Sequence, residues 1–275
     1  MKPASFDFLC PETLEEALSA LAEGGGEARV IAGGQSLVPM LNMRLARPAL
    51  LVDIMQLEAL LRIDTSGDEI IVGAGVRQAE LEAWPSLLRD LPLLAAAFPW
   101  LGHMQTRARG TVCGSIAHAD PSAELPLSLL TLGGSVSLRS RKQKRVVKAD
   151  DFFVGMMVTD LAEGEMIEAV HFPKAGRSGG YAFREVGRRH GDFAIVACAA
   201  VADDRGLRLG IAGVDDRPRV FPLPTLDDDQ FDDAINDIAW SLNARDDIHA
   251  SARYRRELVR SLGRETLKEA SRCRA

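Results

Sequence analysis

The chain has 275 residues, 47% of them hydrophobic, and carries a formal net charge of −6. That is enough apolar material for a full core or two, so a soluble globular protein is expected, and the acidic balance excludes nucleic acid as the natural partner. No stretch is apolar for long enough to span a bilayer, and the N-terminal "MKPASFDFLCPETLEEAL" turns acidic where a signal peptide stays apolar, which predicts a cytoplasmic protein without a membrane span.

Along the chain, "SFDFL" predicts a strand and "PETLEEALSALAEGGG" a helix with Leu14, Ala17, Leu18 and Leu21 on one face and a glycine stop. "ARVIA" is the next strand. It breaks into Gly33-Gly34-Gln35-Ser36, and an apolar run resumes at once with Leu37, Met40, Leu41 and Leu45. A strand feeding a helix through two glycines and a serine presents bare backbone N–H groups at the helix start, where an anion can sit. An ordinary strand-to-helix turn has the same pattern. The strand "ALLVDI" then closes a small β-α-β-α-β unit near Ile54.

Next comes a hairpin, "LLRIDTSGDEIIVGAGV", with its turn at Thr65-Ser66-Gly67-Asp68, and then helices at about 78–83 and 86–98. The "VGAGV" at 72–76 imitates part of a dinucleotide fingerprint, but lacks the third glycine and follows a hairpin. After it, residues 101–126 read as one irregular run, and a loop of that length inside a compact domain needs a reason. It holds a second small-residue segment, Gly110-Thr111-Val112-Cys113-Gly114-Ser115. Two such loops far apart in sequence can converge on one elongated anionic ligand, each giving donors to part of a diphosphate. His118, Asp120 and Glu124, one imidazole with two carboxylates, read as a hydrogen-bond network in preference to a metal site. No Ser/His/Asp arrangement follows from spacing alone.

The helix "AELPLSLLTLGG" and the strands "SVSLRS", "RVVKA" and "EMIEAVHFP" complete this part, with the basic run "RSRKQKR" as a solvated hairpin turn between the first two strands. Residues 174–180 have linker composition. From Tyr181, strand-like "YAFREV", "FAIVACAAVA" and "LRLGIAGV" precede helices, the order expected of an α+β domain with an antiparallel sheet. Cys10, Cys113, Cys198 and Cys273 include no C-x-x-C pair, which fits reduced thiols and supplies no zinc or iron–sulfur cage. Any iron–sulfur chemistry belongs to another chain.

The segments "AGGQSLVPMLNMRLARPALLVDI" and "RARGTVCGSIAHADPSAELPL", in that order, resemble the FAD-binding medium subunit of the molybdenum hydroxylases, the family of the carbon monoxide dehydrogenase medium chain and the xanthine dehydrogenase flavin domain. The resemblance extends through "ADDFFVG", "GDFAIVACAAV" and "DDIHASARYRRELV", essentially the whole chain. It implies an α+β fold: a two-subdomain FAD-binding region of the vanillyl-alcohol-oxidase type over residues 1–173, with subdomains of about 1–54 and 55–173, and a C-terminal domain over 181–275 that closes over the flavin. The implied role is electron transfer, from partner [2Fe-2S] clusters through the flavin to an external acceptor. An iron–sulfur small subunit would hold [2Fe-2S] clusters, a molybdopterin large subunit would hydroxylate the substrate, and the assembly would be a dimer of heterotrimers.

Carried over by position, the resemblance gives Ala32, Gly33, Gly34, Gln35 and Ser36 the diphosphate, with Leu37 following at the helix start, and makes Thr111, Val112, Cys113, Gly114 and Ser115 a second clamp. Glu124 would accept hydrogen bonds from flavin-side hydroxyls, Leu101 and Leu161 would line the cofactor, Arg184 would stand near the pyrimidine ring and Phe193 would pack on the isoalloxazine. The competing readings are a plain core strand residue for Phe193, a solvated arginine for Arg184 and helix-start charge compensation for Glu124. Relatives commonly carry glycine where this chain has Cys113; if that position needs φ > 0, cysteine costs on the order of 1–2 kcal/mol. Gln35 replaces the histidine of some relatives, which a main-chain clamp tolerates. No histidine or cysteine can be placed at the flavin methyl edge, so non-covalent FAD is expected. Two further readings stand beside the electron-transfer subunit: a self-sufficient FAD-dependent oxidase and a non-catalytic nucleotide-binding module.

Overall fold

The computed structural model describes residues 2–176, 178–224 and 230–274. The first unit is β1 (Asp7–Leu9), α1 (Leu14–Gly24), β2 (Ala28–Ile31), α2 (Leu37–Asn42) and β3 (Leu50–Asp53), with all strand pairs parallel and β3 in the middle. Helix α1 begins where the Thr13 side chain accepts from the Glu16 N–H, and it ends at Gly25, whose φ of 51° lets its own N–H turn back to the Leu21 carbonyl. Its Ala17, Leu18 and Leu21 are buried, as their spacing requires.

The second unit opens with β4 (Ile63–Ser66) and β5 (Glu69–Gly73). Ser66 pairs with Glu69, so the loop is Gly67-Asp68, one residue later than the expected turn. Gly67 has φ +54°, and a glycine at the first loop position suits a two-residue hairpin. Helix α3 (Gln78–Glu82) follows as expected, but the helix expected at 86–98 is two helices, α4 (Leu87–Asp90) and α5 (Pro92–Ala97). Pro92 causes the break: Leu91 before it lies outside the helical region at φ −135°, ψ 58°, and proline then starts the next helix.

The run expected to be irregular contains α6 (Met104–Arg107) and α7 (Val112–His118) and leads into α8 (Glu124–Leu132). Beyond it lie β6 (Ser135–Arg139), β7 (Lys144–Lys148), α9 (Ala149–Phe152), β8 (Phe153–Gly155), β9 (Val158–Thr159) and β10 (Met166–Pro173). Strands β4-β5-β10-β6-β7 form an antiparallel sheet, and the basic run turns between β6 and β7.

The third unit is an antiparallel meander of β11 (Gly180–Val186), β12 (Val196–Asp203), β13 (Gly206–Ala212) and β14 (Arg219–Leu223), followed by α10 (Phe231–Ser241) and α11 (Ala252–Arg272). Both faces of this sheet are covered, which is why Val196 to Ala202 are all buried and read as an unbroken apolar run. On one face Ala182, Cys198, Ala200 and Leu209 pack with α10 and α11; on the other Phe183, Ala197, Ala199 and Val201 join the large core of the first two units. Helix α8 is buried on every side and packs against β10 as well as β12 and β13. At Gly210 a Cβ would lie 2.0 Å from Thr131 Oγ1, so the approach of β13 to α8 depends on that glycine.

Arg255 of α11 fixes the strand ends nearest the site. It is buried, and its guanidinium donates to the carbonyls of Ile195 (2.7 Å) and Gly213 and to Asp247 Oδ2 (2.6 Å). Replacing it leaves two buried carbonyls without a donor. Arg255→Met is expected to lower the unfolding free energy by about 2–4 kcal/mol, read as a lower urea midpoint at unchanged m-value.

Candidate functional site

The two small-residue segments meet. A Cβ built on Gly33 would fall 2.0 Å from the Arg109 carbonyl oxygen and 2.6 Å from Gly110 Cα, so the first loop rests directly on the backbone entering the second. Gly34 has φ +70°, a conformation that glycine adopts without cost. Ser36 stands at the start of α2 without capping it through its side chain, and Gln35 Nε2 folds back onto the Gly33 carbonyl at 3.1 Å. The amide N–H groups from Gly33 to Leu37 have no acceptor among the described residues. Five consecutive bare donors at a strand-to-helix corner make an anion cradle.

The second segment differs in form from expectation. Thr111 is the N-cap of α7, its Oγ1 accepting from Gly114 N at 3.0 Å, and Val112 N donates to the Val76 carbonyl. Residues 111–115 are therefore a helix start and not an extended loop. The amides of Thr111 and Cys113 alone among these five lack an acceptor. Cys113 has no positive φ, so the strain considered for a cysteine at this position does not arise. Its thiol is buried against the Val72 carbonyl at 3.4 Å, and burial pushes its pKa far above the ordinary thiol value, which makes it inert.

Glu124 opens α8 and is 4% exposed. Among the described residues no cation pairs with it; burial first, and then the nearby Asp120 charge, push its pKa up to about 7. Asp120 forms the turn before α8, its Oδ1 accepting from Ser122 N at 2.8 Å, while Gly213 N donates to the Pro121 carbonyl and ties that turn to the end of β13. Asp120, Pro121 and Ser122 line an open cleft of about 680 Å³ together with His103, Phe193 and Gly213. Across it the segment carrying Phe193 lies over residues 100–103, with His190 edge-on to Trp100 at 5.6 Å.

The other expected site residues are distributed unevenly. Leu101 is in the large core and Leu161 is half-buried at its margin. Phe193 precedes the strand it was expected to join and is 59% exposed on the cleft wall, which removes the core-strand reading. Arg184 is not brought to the two segments. It lies on the α11 face of β11, where its guanidinium pairs with Glu265 at 3.3 Å and Glu269 at 2.9 Å. Its neighbour Glu185 takes the opposite face, beside Ala197 in the large core, because side chains alternate along a strand.

Glu185 escaped the sequence reading, although the alternation of "YAFREV" already puts it with Tyr181 and Phe183. It is 6% exposed, its Oε2 has no hydrogen-bond partner, and burial together with the Glu124 charge pushes its pKa up to about 9. Ser128, one turn after Glu124, also buries an unpartnered Oγ. By contrast, the structure assembles a Ser-His-Glu chain that spacing did not reveal. His171 Nε2 is 2.7 Å from Ser137 Oγ, and its Nδ1 is 3.2 Å from Glu69 Oε2. All three stand on adjacent paired strands, Ser137 is 3% exposed and β6 is hydrogen-bonded on both sides, so neither access for a substrate nor free oxyanion donors accompany the serine.

A family model described as the FAD binding domain in molybdopterin dehydrogenase matches residues 4–175. The chain is 37% identical over 283 residues to the 6-hydroxypseudooxynicotine dehydrogenase complex subunit alpha of Paenarthrobacter nicotinovorans, covering 98% of this chain and 96% of that protein. It is 36% identical to the nicotine 6-hydroxylase medium subunit of the same organism, with 98% and 99% covered. Among solved structures, carbon monoxide dehydrogenase from Hydrogenophaga pseudoflava, in a form lacking the Mo-pyranopterin moiety of its molybdenum cofactor, superposes with a TM-score of 0.95 at 28% identity over 100% of both chains.

Thiol exposure gives a direct check on the second segment. Cys10 and Cys273 are exposed, whereas Cys113 and Cys198 are buried. An aromatic disulfide reagent should modify the first two rapidly in the native protein and the other two only after denaturation. Fast labelling of Cys113, located by peptide mapping, would mean that its side chain faces the site and not the core.

Proposed function

Since the chain belongs to the family of FAD-binding domains of molybdopterin dehydrogenases, we propose that it is the flavoprotein medium subunit of a cytoplasmic molybdenum-containing hydroxylase. In this reading residues 1–173 bind FAD, 174–180 link, and 181–275 cover the flavin. Electrons come from the [2Fe-2S] clusters of a small subunit, a molybdopterin large subunit carries out the hydroxylation, and the complex is a dimer of heterotrimers. The observation that carries the reading is the contact of Gly33 with Arg109 and Gly110, which brings the five bare amides of one segment beside the bare amides of the other.

The residues fit the cofactor in four respects. Gly33 to Leu37 would hold the diphosphate through backbone donors that have no competing acceptor, with Ala32 leading into them. Thr111 and Cys113 would add two more amides, and Val112, Gly114 and Ser115 would complete the clamp as the helix turn that aims them. Glu124 would accept from cofactor hydroxyls, which replaces some of the solvation its carboxylate lost on burial. Leu101 and Leu161 would supply apolar wall, and Phe193 an exposed ring on the open side. Arg184 would act near the pyrimidine ring only by leaving Glu265 and Glu269. Bound FAD supplies a carrier that is charged one electron at a time and discharged two at a time. This chain's part is to hold it, exclude water and leave one edge open.

Gly34→Ala should weaken flavin binding about tenfold, because a side chain at positive φ costs on the order of 1–2 kcal/mol. Gly33→Ala should remove the flavin altogether, since its Cβ would overlap the Arg109 backbone. Both follow from the ratio of flavin to protein absorbance, and a Gly33→Ala chain with full flavin content would show that the corner is only a turn. Acid precipitation of the wild-type chain should leave the flavin in the supernatant; yellow pellets would mean a covalent link.

The electron-transfer role is separable from the oxidase reading by anaerobic mixing with candidate organic substrates. The FAD-loaded chain alone should keep its yellow colour, and bleaching should require the iron–sulfur and molybdenum partners. Rapid bleaching of the isolated chain would promote the oxidase.

A further inference from the structure

Glu185 is left over when the binding roles are assigned, and it is buried on the same side of the sheet as Glu124, whose carboxylate is given to cofactor hydroxyls. Two carboxyl groups, each more than nine-tenths buried, come from α8 and β11 to the same core face. Among the described residues, no ion pair joins a lysine or arginine to either. On the face Glu185 shares, α5 (Pro92–Ala97) and the facing β12 residue, Ala197, are apolar, Tyr181 packs against the same core, and Arg208 of β13 is held by Asp203 and the Thr131 carbonyl; Arg184 and α11 stand on the other side of the sheet. Glu185 Oε2 and Ser128 Oγ are buried without partners among the described residues. Buried polar atoms are almost always paired, so two orphans beside a like-charged pair need a reason.

The pair also has an outlet. Asp120 lies in the turn just ahead of Glu124 and lines the open cleft; Pro121 of the same turn accepts from Gly213 N, next to Ala212, which is in register with Ala197 and through it with Glu185. The three carboxyls thus run from the dry inner face of the C-terminal sheet, through the start of α8, to water.

From this arrangement we infer that Glu185 and Glu124 are a proton reservoir for the cofactor side of the sheet, refilled from the cleft through Asp120. The inference rests on the proposed FAD site. Iron–sulfur clusters deliver electrons without protons, so two electrons stored on the cofactor need at least one proton from elsewhere. Glu185 holds that proton as a neutral acid and gives it up from its carboxyl O–H. Glu124 returns one to it, and Asp120 restores Glu124 from water in the cleft. On reoxidation by the external acceptor the proton travels back out. Near neutral pH the graded affinities favour this order, with Glu185 held to about 9 and Glu124 to about 7.

The same pair marks the stability of the chain. Both groups release their protons at higher pH folded than unfolded, so the native state binds the extra protons. Stability should decline as the pH rises from about 4.5 through 7 toward 9. Glu185→Gln, of the same size, should flatten the upper part of that decline.

The test is infrared difference spectroscopy on the isolated chain, with flavin content measured first. At neutral pH the wild type should show the carbonyl stretch of a protonated carboxylic acid that titrates away near pH 9 and is missing in Glu185→Gln. Removing the neighbouring charge in Glu124→Gln should move that titration to lower pH. Chemical reduction of the flavin should perturb the band, and the pH dependence of the flavin midpoint potential should change in Glu185→Gln. A flavin-loaded chain whose acid band survives Glu185→Gln, or ignores reduction, overturns the reservoir while leaving the cofactor site intact. A chain that takes up no flavin overturns the cofactor reading, and the acid band and stability profile of the apoprotein then report on the pair by themselves.

Discussion

The contact that everything else depends on is backbone against backbone: Gly33, at the end of a parallel strand, pressed onto Arg109 and Gly110, just ahead of a helix that belongs to a different sheet. No side chain fits there. Because a Cβ would overlap the facing carbonyl, the two segments can approach this closely only through glycine, and the amides from Gly33 to Leu37 are left without an acceptor among the described residues. Amides left bare at a chain crossing are unfavourable unless something negative or water meets them. The corner is thus a place where the fold accepts poor local hydrogen bonding, and such places are where function is expected.

The second constraint is α8. A helix buried on all sides should be apolar all round; six of its nine residues are, and two more, Ser128 and Thr131, are small hydroxyl residues, Thr131 donating to the Leu127 carbonyl at 2.7 Å. The ninth is Glu124, placed in the first turn, where bare helix N–H groups favour a negative charge. The helix therefore does two things at once. Its apolar flanks bind β10 to the C-terminal sheet, and its polar tip sits beside the Asp120 turn at the cleft. Gly210 and Thr131 set how near β13 comes to it, so the position of the tip is coupled to the packing of the sheet.

Much of this was legible in the residues. Apolar spacing gave α1, the parallel strands, the hairpins and the C-terminal meander, and the two motif segments with their flanks gave the family. What was lost has identifiable causes. Pro92 divided a helix whose apolar pattern ran through it. Helix α7 was hidden because Cys113, Gly114, Ser115 and Ala117 are small residues that look like loop composition; only Thr111 as a cap and Val112 with Ile116 as an i,i+4 pair signal it. Phe193 fell outside its strand because Gly191, at φ +83°, ends the preceding turn and the ladder restarts only at Val196. Arg184 and Glu185 show the sharper lesson: adjacent residues on a strand face opposite ways, and a motif match that names one of them says nothing about the other.

Two polar groupings in this chain invite the same question and answer it differently. Glu69, His171 and Ser137 have the outline of a hydrolytic triad, yet every link is satisfied, and the strands that carry them are paired on both sides. Such a chain lowers the cost of placing polar side chains on a sheet, and its completeness is the mark of a structural role. Glu124, Glu185 and Ser128 have no such outline, and Glu185 Oε2 and Ser128 Oγ are buried without a hydrogen-bond partner among the described residues. An unsatisfied buried acid costs stability at neutral pH whether it is neutral and unpaired or charged and undersolvated. Selection for stability alone favours replacing Glu185 with leucine or methionine. That the chain keeps a carboxyl there, on the same side of the sheet as a second buried one that follows the Asp120 turn at the cleft, is the physical argument that its proton is the useful part.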